Sequence, residues 1–205
     1  MTAGWSIVLL RLLRALISSE PVYPAVRLPL ALSQTGAILE VVHALSGLVR
    51  ASAATTLLQV SSRLMLVWGV LDLVPEVRLA PTVTSMVLAW SLTEIPRYLY
   101  FSVAAATTQI PPGLTWLRYS TFIPLYPLGA GSEAATLYAA LPYIEAARPL
   151  SVYMPNRVNF AFDYYYMCVL VLVNYLPGLP YMFAHMLRQR KKYVVSPAEK
   201  LVKAQ

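Results

Sequence analysis

The sequence is poor in the side chains from which most soluble-protein chemistry is built. It has one cysteine, Cys168, and two histidines, His43 and His185. A single thiol excludes an intrachain disulfide and any multi-cysteine zinc or iron–sulfur centre. Charge is scarce too: 12% of the 205 residues are Asp, Glu, Lys or Arg, against about 25% in an average soluble domain. That deficit argues against a water-soluble globule. Disorder is excluded more firmly, because it needs low hydrophobicity and here 58% of residues are hydrophobic. No G-x-S-x-G, P-loop or glycine-rich dinucleotide motif occurs, and no period-two alternation supports a barrel. The net charge of +7 does not point to nucleic acid, which needs a basic folded surface. Much of the excess is a tail: Arg188, Arg190, Lys191, Lys192, Lys200 and Lys203.

What the chain does have is apolar length. A bilayer core about 30 Å thick takes roughly 20 mostly apolar residues as a helix. Apolar stretches lie near 4–18, 30–49, 55–74, 83–105, 114–141 and 160–187. Turn signals separate them, among them Glu20 to Pro29, Pro75 to Pro81, Gln109 to Gly113 and Pro142 to Asn159. The first stretch is short and holds Arg11 and Arg14 inside it. A secretory signal carries its charge ahead of the apolar run, so this one reads as a retained helix. The expected fold is all-α: a six-transmembrane-helix bundle over residues 1–190, followed by a basic tail over 191–205. Sixteen prolines fit membrane helices, where neighbours re-satisfy the freed carbonyls. Basic residues directly after the last stretch place the C-terminus in the cytosol, and six crossings bring the N-terminus there as well.

Many ionisable groups interrupt these stretches. A charge at mid-membrane costs roughly 2.5–3.5 kcal/mol on insertion scales, so such groups face the bundle interior and pair. The second stretch holds Gln34, Glu40 and His43, and the third Gln59 and Arg63. In the fourth, Trp90, Glu94, Arg97 and Tyr98 share a face; the fifth holds Arg118, Tyr119, Tyr126 and Glu133, and the sixth opens on Asp163. Each alone reads as interhelical glue. Together they exceed what glue requires, and point to an intramembrane active site or a conduction path. Glu40-x-x-His43 is half of a di-iron motif without its second copy, so no metal is expected. Cys168 sits in an apolar run with no base in reach and reads as packing.

Tyr119, Tyr126 and Glu133 are spaced by seven, which keeps them on one helical face with a drift of about 20° per step. Tyr126 and Glu133 would then lie about 10.5 Å apart along the axis, beside Pro124, Pro127, Gly129 and Gly131, which predict a kinked or loosened helix with backbone accessible to a ligand. From spacing alone, phenol and carboxylate either converge on a ligand or bond separate neighbours. Arg63, Glu94, Arg97, Arg118, Tyr119 and Asp163 are the groups available to support or orient them.

The runs TWLRYSTFIPLYPLGAGSE (Thr115 to Glu133), LAWSLTEIPRY (Leu88 to Tyr98), LLQVSSRLMLVWG (Leu57 to Gly69), PNRVNFAFDYYY (Pro155 to Tyr166) and PGLPYMFAHMLRQRKK (Pro177 to Lys192) resemble the very-long-chain (3R)-3-hydroxyacyl-CoA dehydratase family, once called protein-tyrosine-phosphatase-like. The resemblance runs from about Gly4 to Lys192. It implies a six-helix endoplasmic-reticulum enzyme that converts (3R)-3-hydroxyacyl-CoA to trans-2-enoyl-CoA in the third step of fatty-acid elongation. It also implies that the family's catalytic tyrosine and glutamate are Tyr126 and Glu133. No cofactor is expected, since dehydration involves no net redox change. The implied partners are the 3-hydroxyacyl-CoA substrate, the lipid bilayer and the other elongation enzymes: the condensing enzyme, the ketoacyl reductase and the enoyl reductase. Family members usually carry a tyrosine-asparagine pair ahead of the Gly-Trp that is Gly4-Trp5 here, and Lys200 and Lys203 lack strict dilysine spacing.

A phenol ionises only near about pH 10, so Tyr126 is the better proton donor and Glu133 the better base. The reverse assignment needs a cation such as Arg118 or Arg97 beside the phenol. Rival readings are a catalytically weak membrane scaffold of the elongation complex and a small transporter.

Overall fold

Trp5, Val8, Leu12 and Ala15 recur at three- and four-residue spacing, the signature of one apolar helix face. In the computed structural model, α1 (Thr2–Ile17) buries that face against α2 (Val22–Gly36) and α5 (Pro81–Ala106). Arg11 and Arg14 lie on its exposed side, so neither charge has to enter the core. The structure describes residues 1–48, 52–107, 109–157 and 159–195. Lys200 and Lys203, and with them the end of the expected basic tail, lie outside the described residues.

The second apolar stretch starts earlier than the sequence suggests. Residues 21–29 read as a proline-rich turn, yet α2 begins at Val22. Pro24 falls in the first turn, where a missing N–H costs nothing because those donors have no helical partner. Pro29 is accommodated inside the helix. After Gly36 the chain bends at Ala37 into α3 (Ile38–Leu45). Ser52 caps α4 (Ala53–Leu64), its hydroxyl accepting from the Thr55 amide at 3.5 Å. The same helix continues as a π-helical stretch over Met65–Leu71. Gly69 sits there because the Tyr164 ring lies against it: a Cβ at Gly69 would collide with the phenol oxygen.

The fifth stretch is also divided, into α6 (Pro112–Ser120) and α7 (Phe122–Ala147). Pro124 explains the break. It has no N–H for the Ser120 carbonyl four residues back, and its ring crowds that carbonyl. A loop follows, in which Val152 and Phe162 exchange backbone hydrogen bonds at 2.8 Å. It leads into α8 (Tyr164–Arg190) and a π-helical turn, Lys191–Val195.

The described residues are all-α, with no strand. Three helical stretches among them are long and apolar enough to cross a bilayer: Val22–Leu45, Ala53–Leu71 and Tyr164–Val194. Helices α5 and α7, 26 residues each, reach about 39 Å but are less apolar. They form the centre of the molecule. Gly129, Ser132 and Thr136 of α7 face Ala89, Ser85 and Thr82 of α5, a seam of small residues that lets two backbones approach closely. A Cβ at Gly129 would lie 3.3 Å from that of Ala89. The Ser85 and Ser132 hydroxyls are 2.7 Å apart, and Thr136 donates to Thr82 at 2.8 Å. Around this seam Trp5, Leu30, Leu71, Met86, Leu137 and Ile144 make the core. Only 6% of the most apolar window of α8 is buried, so that helix lies on α7 with most of its surface outward.

Candidate active site

The close α5–α7 seam positions Glu133. One residue beyond Ser132 on α7, its carboxylate reaches the indole of Trp90 on α5, and Trp90 Nε1 donates to Oε1 at 2.7 Å. From α8, the Tyr175 hydroxyl donates to Oε2 at 2.7 Å. Three helices thus fix both carboxylate oxygens. An ionised carboxylate has further acceptor sites on each oxygen, so Glu133 retains capacity for a ligand proton.

Tyr126 lies two turns earlier on α7 and stacks on Phe183 of α8, with ring centroids 6.1 Å apart at 21°. Tyr126 is thus level with Phe183, and Glu133 with Tyr175: α7 and α8 run antiparallel, and both α7 groups lie along the side that meets α8. Among the described residues no hydrogen bond joins Tyr126 to Glu133. About 10.5 Å of helix axis separates them, leaving room for a reacting group between.

A polar network backs the carboxylate. Glu94 of α5, 1% exposed, pairs with Arg63 of α4 and with Arg97 Nε at 2.6 Å. Arg97 turns its two terminal nitrogens to Glu40 of α3, at 2.8 and 2.7 Å. Tyr98 also donates to Glu40. The Arg63 guanidinium sits 5.4 Å from the Trp90 ring centroid, a cation–π contact. The sequence Glu40–Arg97–Glu94–Arg63–Trp90–Glu133–Tyr175 is therefore continuous in space. Glu40, read from sequence as half a metal motif, has its carboxylate engaged by Arg97 and Tyr98.

The remaining sequence-selected groups lie elsewhere. Arg118 of α6 stacks over Tyr100, Phe101 and Tyr119, at 4.3, 4.2 and 5.2 Å from the ring centroids. Tyr119 does not share a helix with Tyr126, since the break at Thr121 separates them; it stacks on Tyr193 at 4.9 Å instead. Nearby, Arg190 Nε donates to Ser120 Oγ at 3.1 Å. Asp163 caps α8 by accepting from the Tyr165 amide at 3.0 Å and accepts from the Tyr153 hydroxyl at 3.0 Å. It sits twelve residues before Tyr175, about 18 Å along the helix, and does not join the Glu133 group.

Two participants escaped the sequence reading. Trp90 was visible only as a neighbour of Glu94, and Tyr175 not at all. The available signal for Tyr175 was a lone phenol within the apolar run Val169 to Leu176, broken otherwise by Asn174.

Comparison with known proteins gives the family. The model of the family described as "Protein tyrosine phosphatase-like protein, PTPLA" matches residues 34–196. The chain is 48% identical over 191 residues to the very-long-chain (3R)-3-hydroxyacyl-CoA dehydratase PASTICCINO 2A of Oryza sativa subsp. japonica, covering 92% of this chain and 86% of that protein. It is 40% identical over 195 residues to very-long-chain (3R)-3-hydroxyacyl-CoA dehydratase 2 of Homo sapiens, covering 94% and 76%. With the Caenorhabditis elegans dehydratase hpo-8 it shares 36% identity over 200 residues, covering 96% and 92%. No solved structure matches the chain. The chain belongs to the protein tyrosine phosphatase-like family, PTPLA.

Proposed function

We propose that this chain removes water from a (3R)-3-hydroxyacyl-CoA to give the trans-2-enoyl-CoA, the reaction for which its relatives are named. The observation that carries this reading is the Glu133 carboxylate, clamped by Trp90 and Tyr175 with the Tyr126 phenol two turns away on the same side of α7. Glu133 takes a proton from the carbon next to the thioester. The electron pair of that C–H bond becomes the new double bond as the C3–O bond breaks. Tyr126 gives its proton to the leaving oxygen, which departs as water. The proton held by Glu133 then returns to the Tyr126 phenolate through water, and the pair is reset. General acid–base transfer of this kind contributes typically 10²–10⁴-fold.

The disposition of the cations supports this division of roles. A phenol serves as base only beside a positive charge, and the guanidinium groups nearby are committed elsewhere. Arg63 and Arg97 pair with Glu94 and Glu40, and Arg118 lies over Tyr100, Phe101 and Tyr119.

The same reading makes residues 1–190 a six-span catalytic domain in the endoplasmic-reticulum membrane, with both termini cytosolic. Helices α5 and α7 then cross despite their polar content, because their polar faces pair with one another. Arg188, Arg190, Lys191 and Lys192 would meet the CoA phosphates at the cytosolic rim. The condensing and reducing enzymes of elongation would supply the substrate and consume the product.

The test is incubation of the detergent-purified protein with 3-hydroxypalmitoyl-CoA, followed by chromatographic detection of the enoyl product. Catalytic formation of that product is expected. Folded protein that forms none, in detergent or in vesicles, would favour a scaffold. Movement of a solute only across sealed vesicles would favour a transporter.

A further inference from the structure

An open apolar groove of about 490 Å³ lies between α7 and α8, within the roughly 300–1,000 Å³ typical of small-molecule sites. Ala134, Ala135 and Tyr138 form one wall; Leu172, Leu176 and Leu179 form the other, with Tyr175 between them. Tyr175 belongs to two structures at once: its ring lines the groove and its hydroxyl holds Glu133.

We infer that this groove receives the acyl chain of the substrate, with Tyr175 marking the junction between reacting centre and tail. The inference rests on the dehydratase reading above and adds to it the place of the hydrocarbon.

Order along the α7–α8 seam is the main argument. At one end Arg190 reaches Ser120 and Tyr193 stacks on Tyr119, with Arg188, Lys191 and Lys192 alongside in sequence. Next comes Tyr126 against Phe183, then Glu133 against Tyr175. On α7 the groove lies beyond Glu133, away from the basic end, at Ala134, Ala135 and Tyr138; on α8 it runs from Leu172 past Tyr175 to Leu179 and Pro180, so it opens beside the reacting centre and leads away from it along α7. Block by block a 3-hydroxyacyl-CoA has the same order, phosphates, reacting carbons, hydrocarbon, with the adjacent C2 and C3 lying across the seam between Glu133 and Tyr126.

Composition adds a second argument. Ala134 and Ala135 follow Glu133 directly, so the groove wall is low where a chain leaving the reacting carbons must enter. The groove extends about 12 Å along α8 and is lined by alkyl groups and two phenols, with no charged side chain. Such a lining suits a saturated chain and offers no charge to a polar ligand. A bilayer lipid shares the hydrocarbon chemistry but has no group to place between Tyr126 and Glu133, so the two sources are separable by experiment.

The experiment compares kcat/KM for 3-hydroxyhexanoyl-CoA and 3-hydroxypalmitoyl-CoA in the full-length protein and in Ala135→Phe and Leu176→Trp, which fill the groove. The long substrate should lose at least tenfold while the short one stays within about twofold. Equal effects on both substrates in folded variants would overturn the inference. A wild-type protein inactive on both would instead count against the dehydratase reading. Because a filled variant can fail to fold, the wild-type protein is also photolabelled with a 3-hydroxyacyl-CoA carrying a diazirine in the first half of its acyl chain, within the length of the groove. Adducts should fall on residues 134–138 and 172–179, and excess 3-hydroxypalmitoyl-CoA should suppress them. Adducts elsewhere, or adducts in the groove that the competitor leaves untouched, as a lipid site would give, refute it. Labelling requires binding alone, so this result stands whether or not turnover is seen.

Discussion

At the scale of single residues, Trp90 and Tyr175 set the direction in which the lone pairs of Glu133 point. Tyr175→Phe and Trp90→Phe each remove one donor while keeping an aromatic ring in place. Each should lower kcat by roughly ten- to a hundredfold, the cost of a misplaced catalytic group, with KM nearly unchanged. A rise in KM at constant kcat would instead make them substrate contacts. That Tyr126 and Glu133 share one side of a helix was legible from spacing within one apolar run, since seven residues return a helix nearly to the same face. Tyr175 was not. Its role depends on the register of α8 against α7, and one sequence carries no information about which residue of a distant helix comes level with Glu133.

Among the elements, α5 is the hub. It meets α1 and α7 through its apolar and small residues and α3 and α4 through ions. Glu94 on α5 holds Arg63, and its own side chain is almost fully buried. Glu94→Leu should therefore destabilise the protein by about 3 kcal/mol, the usual cost of leaving a buried charge unpaired. The double variant Arg63→Met with Glu94→Leu should recover most of that loss in a detergent melt. No recovery would mean that the network matters beyond this pair. A separate prediction concerns the π-helical stretch: Gly69→Ala should lower the melting temperature, because the added carbon meets the Tyr164 hydroxyl. Tyr164→Phe should relieve part of that loss, and a Gly69→Ala protein as stable as the wild type would contradict the close approach. The Glu94–Arg97 pair was readable from its three-residue spacing, and α1 from its apolar stripe. Pro124 and its neighbours signalled a kink in the fifth stretch; the structure goes further and divides it at Thr121, which takes Tyr119 off the helix of Tyr126. The prolines before α2 were misread as a turn, since position within the helix decides whether proline starts it or stops it.

At the scale of the whole molecule, the ionic and small-residue contacts sit inside, while α8 turns an apolar surface outward. That is the inside-out polarity expected in lipid, where helices associate through packing and polar contacts. Six crossings require both ends on one side. Cysteines introduced at Ala3 and Lys200 should both react with a membrane-impermeant maleimide added to the cytosolic face, while buried Cys168 stays unmodified. Reaction of one end only would show an odd number of spans. The central claim, that Tyr126 and Glu133 carry out the dehydration, is tested most directly by turnover of 3-hydroxypalmitoyl-CoA by purified Tyr126→Phe, Glu133→Gln and the double variant. Each single change should cut turnover on the order of a hundredfold or more at undiminished folded yield. The double variant should lose little further, because groups acting as a unit are not additive. Retention of more than about a third of wild-type turnover by both single variants, against the losses expected of an acid–base pair, would contradict the account.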